Sequence, residues 1–216
     1  MNIDYARLQM VNQQVRGWNV YDEDVLAMLK ELPREHFVPE GFESLAFADI
    51  AIPLGHGEHM MSPTIEGRLL QALSLRGNEN VLEIGTGSGF MTACLARLGA
   101  SVTSLDIYDD FVESASSKLE SAGIDNVTLQ QMDATRSLPD GTFDAIAVTG
   151  SIQTLDPRFV DALAPHGKLF VVVGDGPAME AILIERSGDN DVETIGLFET
   201  DLAPLVHGAL PPQFAF

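Results

Sequence analysis

Val81-Leu82-Glu83-Ile84-Gly85-Thr86-Gly87-Ser88-Gly89-Phe90 is the stretch whose reading decides the fold. A short, largely apolar run ends in three glycines at alternate positions, and a helical pattern from Phe90 to Leu98 starts at once. A strand that turns straight into a helix through residues without Cβ atoms lets a ligand approach bare backbone at a helix N-terminus. One glycine-rich turn is weak evidence by itself, because a structural strand-to-helix bend uses glycine for the same conformational reason.

The sequence on either side strengthens the reading. Downstream, the pattern predicts a strand over Ser101 to Asp106, a helix over Asp110 to Ala122 and a strand over Val127 to Gln131, which completes a βαβαβ unit. A strand at Phe143 to Thr149, a short helix at Pro157 to Leu163 and a strand at Lys168 to Val173 extend the series. The segments Met179 to Arg186 and Val192 to Thr200 suit an antiparallel edge, and the tail Leu210-Pro211-Pro212-Gln213 looks loosely held. Upstream, residues 4–16 carry Leu8, Val11 and Val15 at helical spacing, and Asp22 caps a second helix that Pro33 stops. Residues 35–63 are broken by proline and glycine and read as a long ordered loop, followed by a helix over Thr64 to Leu75. The expected fold is α/β: a doubly wound, mostly parallel Rossmann-like sheet with helices on both faces, an N-terminal helical extension and an antiparallel C-terminal edge. The 216 residues form one domain in this reading, with residues 1–78 as helices and substrate loop, 79–176 as ligand-binding core and 177–216 as edge strands and tail.

Two acids give the glycine loop a chemical meaning. Asp106 ends the second strand about twenty residues after the loop, where a carboxylate can accept both hydroxyl hydrogens of a ribose. Asp133 follows the third strand, where it can accept a hydrogen bond from an adenine amino group while neighbouring backbone flanks the ring. A turn aspartate alone means little, but the three features come in the order that one nucleoside site requires.

Composition limits the partners. Twelve Lys and Arg against 32 Asp and Glu leave a net charge of −20, which repels phosphate backbones and anionic lipid and argues against nucleic-acid and membrane partners. No apolar run is long enough to span a bilayer and the first residues lack a secretion signal, so a cytoplasmic location is expected. Cys94 is the only cysteine and reads as core packing; no pattern of metal ligands is visible.

NAD and S-adenosylmethionine (SAM) both suit such a fold. The spacing Glu-x-Gly-x-Gly-x-Gly, with an acid ending the next strand, resembles the class I SAM-dependent methyltransferases. Within that class, several stretches resemble the protein-L-isoaspartate O-methyltransferases, which methylate the stray carboxylate of isoaspartyl residues in damaged proteins. They are Met10-Val11-Asn12-Gln13-Gln14-Val15-Arg16-Gly17, Pro33-Arg34-Glu35-His36-Phe37-Val38-Pro39, Ala46-Phe47-Ala48-Asp49, Ile52-Pro53-Leu54-Gly55, the glycine loop itself, Phe143-Asp144-Ala145-Ile146 and Leu202-Ala203-Pro204-Leu205. The resemblance implies SAM as cofactor, held by Glu83, Gly85, Thr86, Gly87, Ser88, Gly89, Asp106, Ile107, Asp133, Ala134 and Thr149, and a protein or peptide substrate carrying isoaspartyl residues. It says nothing of the oligomeric state.

Two segments depart from the pattern, the closing one by reading Thr200-Asp201-Leu202-Ala203-Pro204-Leu205 where the family usually has Val-Arg-Phe-Val-Pro-Leu. After Gly55-His56-Gly57 the family usually continues Gln-Thr-Ile-Ser-Gln-Pro, whereas this chain reads Glu58-His59-Met60-Met61-Ser62-Pro63. Met61 stands at the family serine, His59 at the family threonine, and Ser62 supplies a hydroxyl one position late. His59, Met61 and Ser62 are therefore the candidate acceptor-side residues, with His59 open to a general-base role or to hydrogen bonding with backbone or SAM's carboxylate. His36 reads as structural, and His56, His166 and His207 show no partner in the sequence. A carboxylate acceptor, ionised at neutral pH, needs no base at all. Three functions stay open on sequence grounds: isoaspartyl methylation, methylation of another acceptor in a remodelled pocket, and SAM binding with little activity.

Overall fold

The computed structural model describes residues 2–188 and 191–208; the expectation for the tail at Leu210 to Gln213 lies outside them. Seven strands form the main sheet in the spatial order β5-β4-β3-β6-β7-β8-β9, where β3 is Asn80–Ile84, β4 Ser101–Asp106, β5 Val127–Gln131, β6 Phe143–Ile152, β7 Leu163–Asp175, β8 Ala178–Arg186 and β9 Val192–Thr200. The pairs from β5 through β7 are parallel, and β7-β8 and β8-β9 are antiparallel. β1 (Ile52–Gly55) and β2 (Glu58–Met60) make a separate antiparallel hairpin. The helices are α1 (Ile3–Gln9), α2 (Glu23–Glu31), α3 (Pro63–Leu73), α4 (Phe90–Leu98), α5 (Asp109–Ser121) and α6 (Pro157–Asp161).

The central strands are buried on both faces, and side-chain alternation sorts them into two cores. Val81, Ala145, Ala147, Phe170 and Val172 join the core that α3, α4 and the N-terminal helices cover, while Leu82, Ile84, Ile146, Val148, Leu169 and Val171 pack with Phe159 of α6 on the other face. Cys94 is fully buried in the first core. Asp22 caps α2 through bonds from the Asp24 and Val25 amides, as its position predicts.

Three boundaries differ from the sequence reading. The first helix changes pitch: a π-helical turn over Met10–Val15 and a 3-10 turn over Arg16–Trp18 follow α1, which buries Met10, Val11 and Val15 and leaves Leu8 at the surface. α6 ends at Asp161, and β7 begins at Leu163 because Leu163 pairs with Phe143 across the sheet. The expected loop over residues 35–63 holds two 3-10 turns and the β1-β2 hairpin. That hairpin turns on His56 and Gly57, both at positive φ (54° and 87°), the conformation of the tight turns whose twist matches paired strands.

Candidate cofactor and acceptor site

β3 has β4 on one side and β6 on the other, so the chain leaves its carboxyl end at the point where the sheet order reverses, the usual position of a ligand crevice in open α/β sheets. A cavity of about 660 Å³ opens there. Its floor is the glycine bend with Asp106 and Ile107, its roof the β1-β2 hairpin, and its far wall the segment Leu202 to Val206.

The bend is held by the ends of its neighbours. The Gly85 and Thr86 amides donate to the Leu105 carbonyl at 2.8 and 3.1 Å, and the Thr149 hydroxyl donates to the Gly85 carbonyl at 2.7 Å. Gly85 has φ of 100°, and a Cβ there would lie 2.2 Å from the Thr149 hydroxyl oxygen, so only glycine fits. Gly89 serves a different purpose. A Cβ at that position would meet the Ala115 Cβ at 2.9 Å, so it permits α4 to approach α5 and does not line the cavity.

Behind the bend lies Glu83, fully buried. One of its carboxyl oxygens accepts from Ser104 at 2.6 Å and from Thr92 at 2.5 Å, and Ser104 also contacts the Thr86 hydroxyl at 2.5 Å. Its other oxygen has no partner. Burial pushes its pKa up to about 8, against hydrogen bonds that favour the anion. Glu83 is not among the cavity-lining residues; it supports Thr86, which is.

Asp106 faces the cavity beside the bend. Its carboxylate accepts from the Gly87 amide at 2.8 Å and the Tyr108 amide at 3.0 Å. Burial raises its pKa in spite of those bonds. Ile107 and Ala134 supply apolar surface on either side, and Asp133 also lines the space. Asp133 is heavily engaged: one oxygen takes the Thr135 amide and hydroxyl at 3.0 and 2.5 Å, the other takes His207 at 2.9 Å and Arg136 at 3.0 Å. Three hydrogen bonds and the Arg136 ion pair crowd this carboxylate, so His207 or Arg136 has to shift to open it to an adenine amino group. His207 and His56, which the sequence leaves without partners, both have one. His56 at the hairpin turn bonds Asp110 at 2.9 Å and stacks on Tyr108 with ring centroids 4.0 Å apart, which fastens the roof to the start of α5. His36 is exposed and takes no part in the cavity.

The other end of the cavity is built from the departed segment after Gly57. Met60 and Met61 are buried in the core beneath the hairpin, and with Met91 and Met179 they give this end methionine walls. His59, Met61 and Ser62 all line it. Arg34 lies fully buried behind Met61, donating to the Met61 carbonyl at 2.7 Å and the Ala46 carbonyl at 2.8 Å and pairing with Glu66. Burial pushes the Glu66 carboxyl up to about 7, although Arg34 opposes the rise. Among the described residues, no Lys or Arg lines the cavity, whereas Asp49, Glu58, Glu66 and Asp201 do. Sequence reasoning missed Asp49, Glu58, Glu66, Tyr108, Phe111 and Met179. Asp49 carried a signal, because it ends one of the family-like stretches.

The SAM fit is tested by the cradle itself. The bend presents bare backbone to the cavity, a buried carboxylate sits beside it with spare acceptor capacity, and apolar surface flanks both, which is the donor, acceptor and stacking set that an adenosyl group needs.

Known proteins were compared with this chain. Residues 7–209 match the family described as Protein-L-isoaspartate(D-aspartate) O-methyltransferase (PCMT). A Rhodopseudomonas palustris relative named Protein-L-isoaspartate O-methyltransferase 1 is 36% identical over 202 residues, covering 93% of this chain and 82% of the relative. A Methanoculleus marisnigri relative, Protein-L-isoaspartate O-methyltransferase, is 35% identical and covers 93% of this chain and 91% of its own length. In fold, the chain resembles a Plasmodium falciparum protein assigned as a protein-L-isoaspartate O-methyltransferase and crystallised with S-adenosyl-L-homocysteine: TM-score 0.81, 21% identity, 92% of this chain and 97% of that one. On the extent of the family match and the identity of these relatives, the chain belongs to the protein-L-isoaspartate O-methyltransferase family.

Proposed function

We propose that this chain is a SAM-dependent methyltransferase that esterifies the free carboxylate of isoaspartyl residues in proteins and peptides. The observation that carries the reading is Asp106, a buried carboxylate at the end of β4 that faces the cavity beside the bare backbone of Gly85 and Gly87.

Roles follow from position. Asp106 accepts the ribose hydroxyls; the Gly85 to Ser88 backbone, kept in shape by Thr149, lies along the rest of the cofactor. Ile107 and Ala134 flank the adenine. Asp133 reaches the adenine amino group when His207 or Arg136 gives way. Glu83 acts through Ser104 and Thr86 and touches no ligand. When bound, SAM supplies a methyl group on a positive sulfonium centre. The residues around the acceptor need to align a carboxylate with that methyl and exclude water. Transfer from a cation to an anion gives neutral products, so a weakly polar surround favours it. Met60, Met61, Met91 and Met179 provide that surround. No general base is needed for an ionised carboxylate, which leaves His59 as a wall of the site.

A second acceptor class is favoured by one observation: besides Asp106 and Asp133, four carboxylates, Asp49, Glu58, Glu66 and Asp201, line the cavity, and among the described residues no Lys or Arg does. The discriminating experiment offers labelled SAM to the enzyme with an isoaspartyl peptide and with the same peptide containing ordinary aspartate. Methyl transfer to the first and none to the second is expected. Normal SAM binding with no transfer to either would assign the fold to another acceptor.

A further inference from the structure

Ser62 stands at the N-cap of α3, yet its hydroxyl makes no cap bond. The Thr64 amide, which a serine N-cap usually binds, is oriented to Asp49 instead, at 3.4 Å. The Thr64 hydroxyl donates to the same Asp49 oxygen at 2.7 Å, and Ser62 Oγ lies 3.1 Å from Thr64 Oγ1.

The direction of these bonds is determined. A hydroxyl has one proton and two lone pairs, and a carboxylate only accepts. Thr64 spends its proton on Asp49, so the proton between Thr64 and Ser62 comes from Ser62. Ser62 then has no proton left for the cavity that it lines, only acceptor lone pairs. It can take a hydrogen bond from a substrate and cannot give one to the reacting carboxylate.

We infer that Ser62 is a specificity-determining residue that accepts a hydrogen bond from the isoaspartyl residue's own peptide N–H; this rests on the isoaspartyl reading above. In an isoaspartyl residue the free carboxylate and the N–H are attached to the same carbon. In ordinary aspartate the free carboxylate is one methylene further away. An acceptor fixed at this end of the cavity therefore measures the distance that separates the two isomers. Thr64 and Asp49 are positioning residues, because they set which way the Ser62 proton points.

The test is binding of an isoaspartyl peptide to the protein saturated with S-adenosylhomocysteine, measured by calorimetry, for the unmodified peptide and for one methylated on the isoaspartyl nitrogen. One net hydrogen bond corresponds to about a tenfold change in affinity. The wild type is expected to bind the N-methylated peptide about tenfold more weakly, Ser62→Ala to bind the unmodified peptide about tenfold more weakly, and the two losses not to add. Thr64→Val should lower the sensitivity to N-methylation while Ser62 remains. An unchanged affinity for S-adenosylhomocysteine confirms that each variant is folded. Additive losses, or Ser62→Ala binding as well as wild type, overturn the role of Ser62 alone. A wild type that prefers ordinary aspartyl peptide, or binds neither, overturns the isoaspartyl reading and this inference with it.

Discussion

The two ends of the one cavity are built on different principles. The cofactor end is made of backbone: glycines at positive φ, amides directed to carbonyls of the adjoining strand, and one carboxylate on β4. The acceptor end is made of side chains from the hairpin, α3 and the segment after β9, which meet only because the chain brings together residues as distant as Asp49 and Asp201. A backbone site leaves little freedom for substitution, whereas a side-chain site can exchange Ser for Met and keep its shape. The difference explains why the departure from the family pattern is confined to one end.

Replacing Gly85 by Ala breaks this contrast most directly. The new Cβ needs a strained φ and collides with Thr149, so a stability loss of about 2 to 4 kcal/mol is expected in denaturant unfolding, with cofactor binding lost as well. A variant that unfolds and binds like wild type would show the bend to be adaptable.

Glu83→Gln comes next, read as a pH dependence. Glu83 has its folded pKa raised from 4.5 to about 8. The stability linked to it is fully present below 4.5 and is lost as pH rises through 8, a change on the order of a few kcal/mol. Unfolding free energies of wild type and Glu83→Gln should therefore diverge between pH 5 and pH 9, on the order of the same few kcal/mol, with the wild type losing more. Parallel profiles would mean that Glu83 is not forced to ionise inside the fold.

Asp106→Ala tests the charged contact that β4 brings to the cofactor end. Affinity for SAM should fall by about 1 to 3 kcal/mol by calorimetry, because charge-assisted bonds to the ribose are lost. An equal affinity would remove Asp106 from the site.

The smallest effect belongs to the acceptor end. Met61→Ser restores the hydroxyl of the family pattern and should raise isoaspartyl turnover by a few-fold, chiefly through KM, since one solvent-exchanged hydrogen bond contributes about 1 kcal/mol net. A loss of turnover would show that the methionine walls have become necessary to this chain's own geometry.

The same contrast governs what was legible in the sequence. The glycine bend, its flanking strands and Asp106 could be read because strand periodicity and positive-φ glycines are local signals. The β1-β2 hairpin could not, since its first turn residue is His56 where asparagine or aspartate would have announced the turn. Nor could the contacts that close the site: His207 meets Asp133 across 74 positions and His56 meets Asp110 across 54, separations with no trace in local pattern. Glu83 was legible as part of the loop but its task was not. The side chain of a strand residue alternates between faces, and at Glu83 it falls on the α4 side, away from the ligand. At the acceptor end the family pattern marked the right segment, while the bond direction from Ser62 to Thr64 to Asp49 appears only in three dimensions.

The central claim is that the bend after β3, with Asp106 beside it, holds an adenosyl cofactor. Titration of the protein with S-adenosylhomocysteine tests it most directly. The account predicts saturable binding at one site per chain, weakened in Asp106→Ala; no detectable association at saturating protein would contradict it.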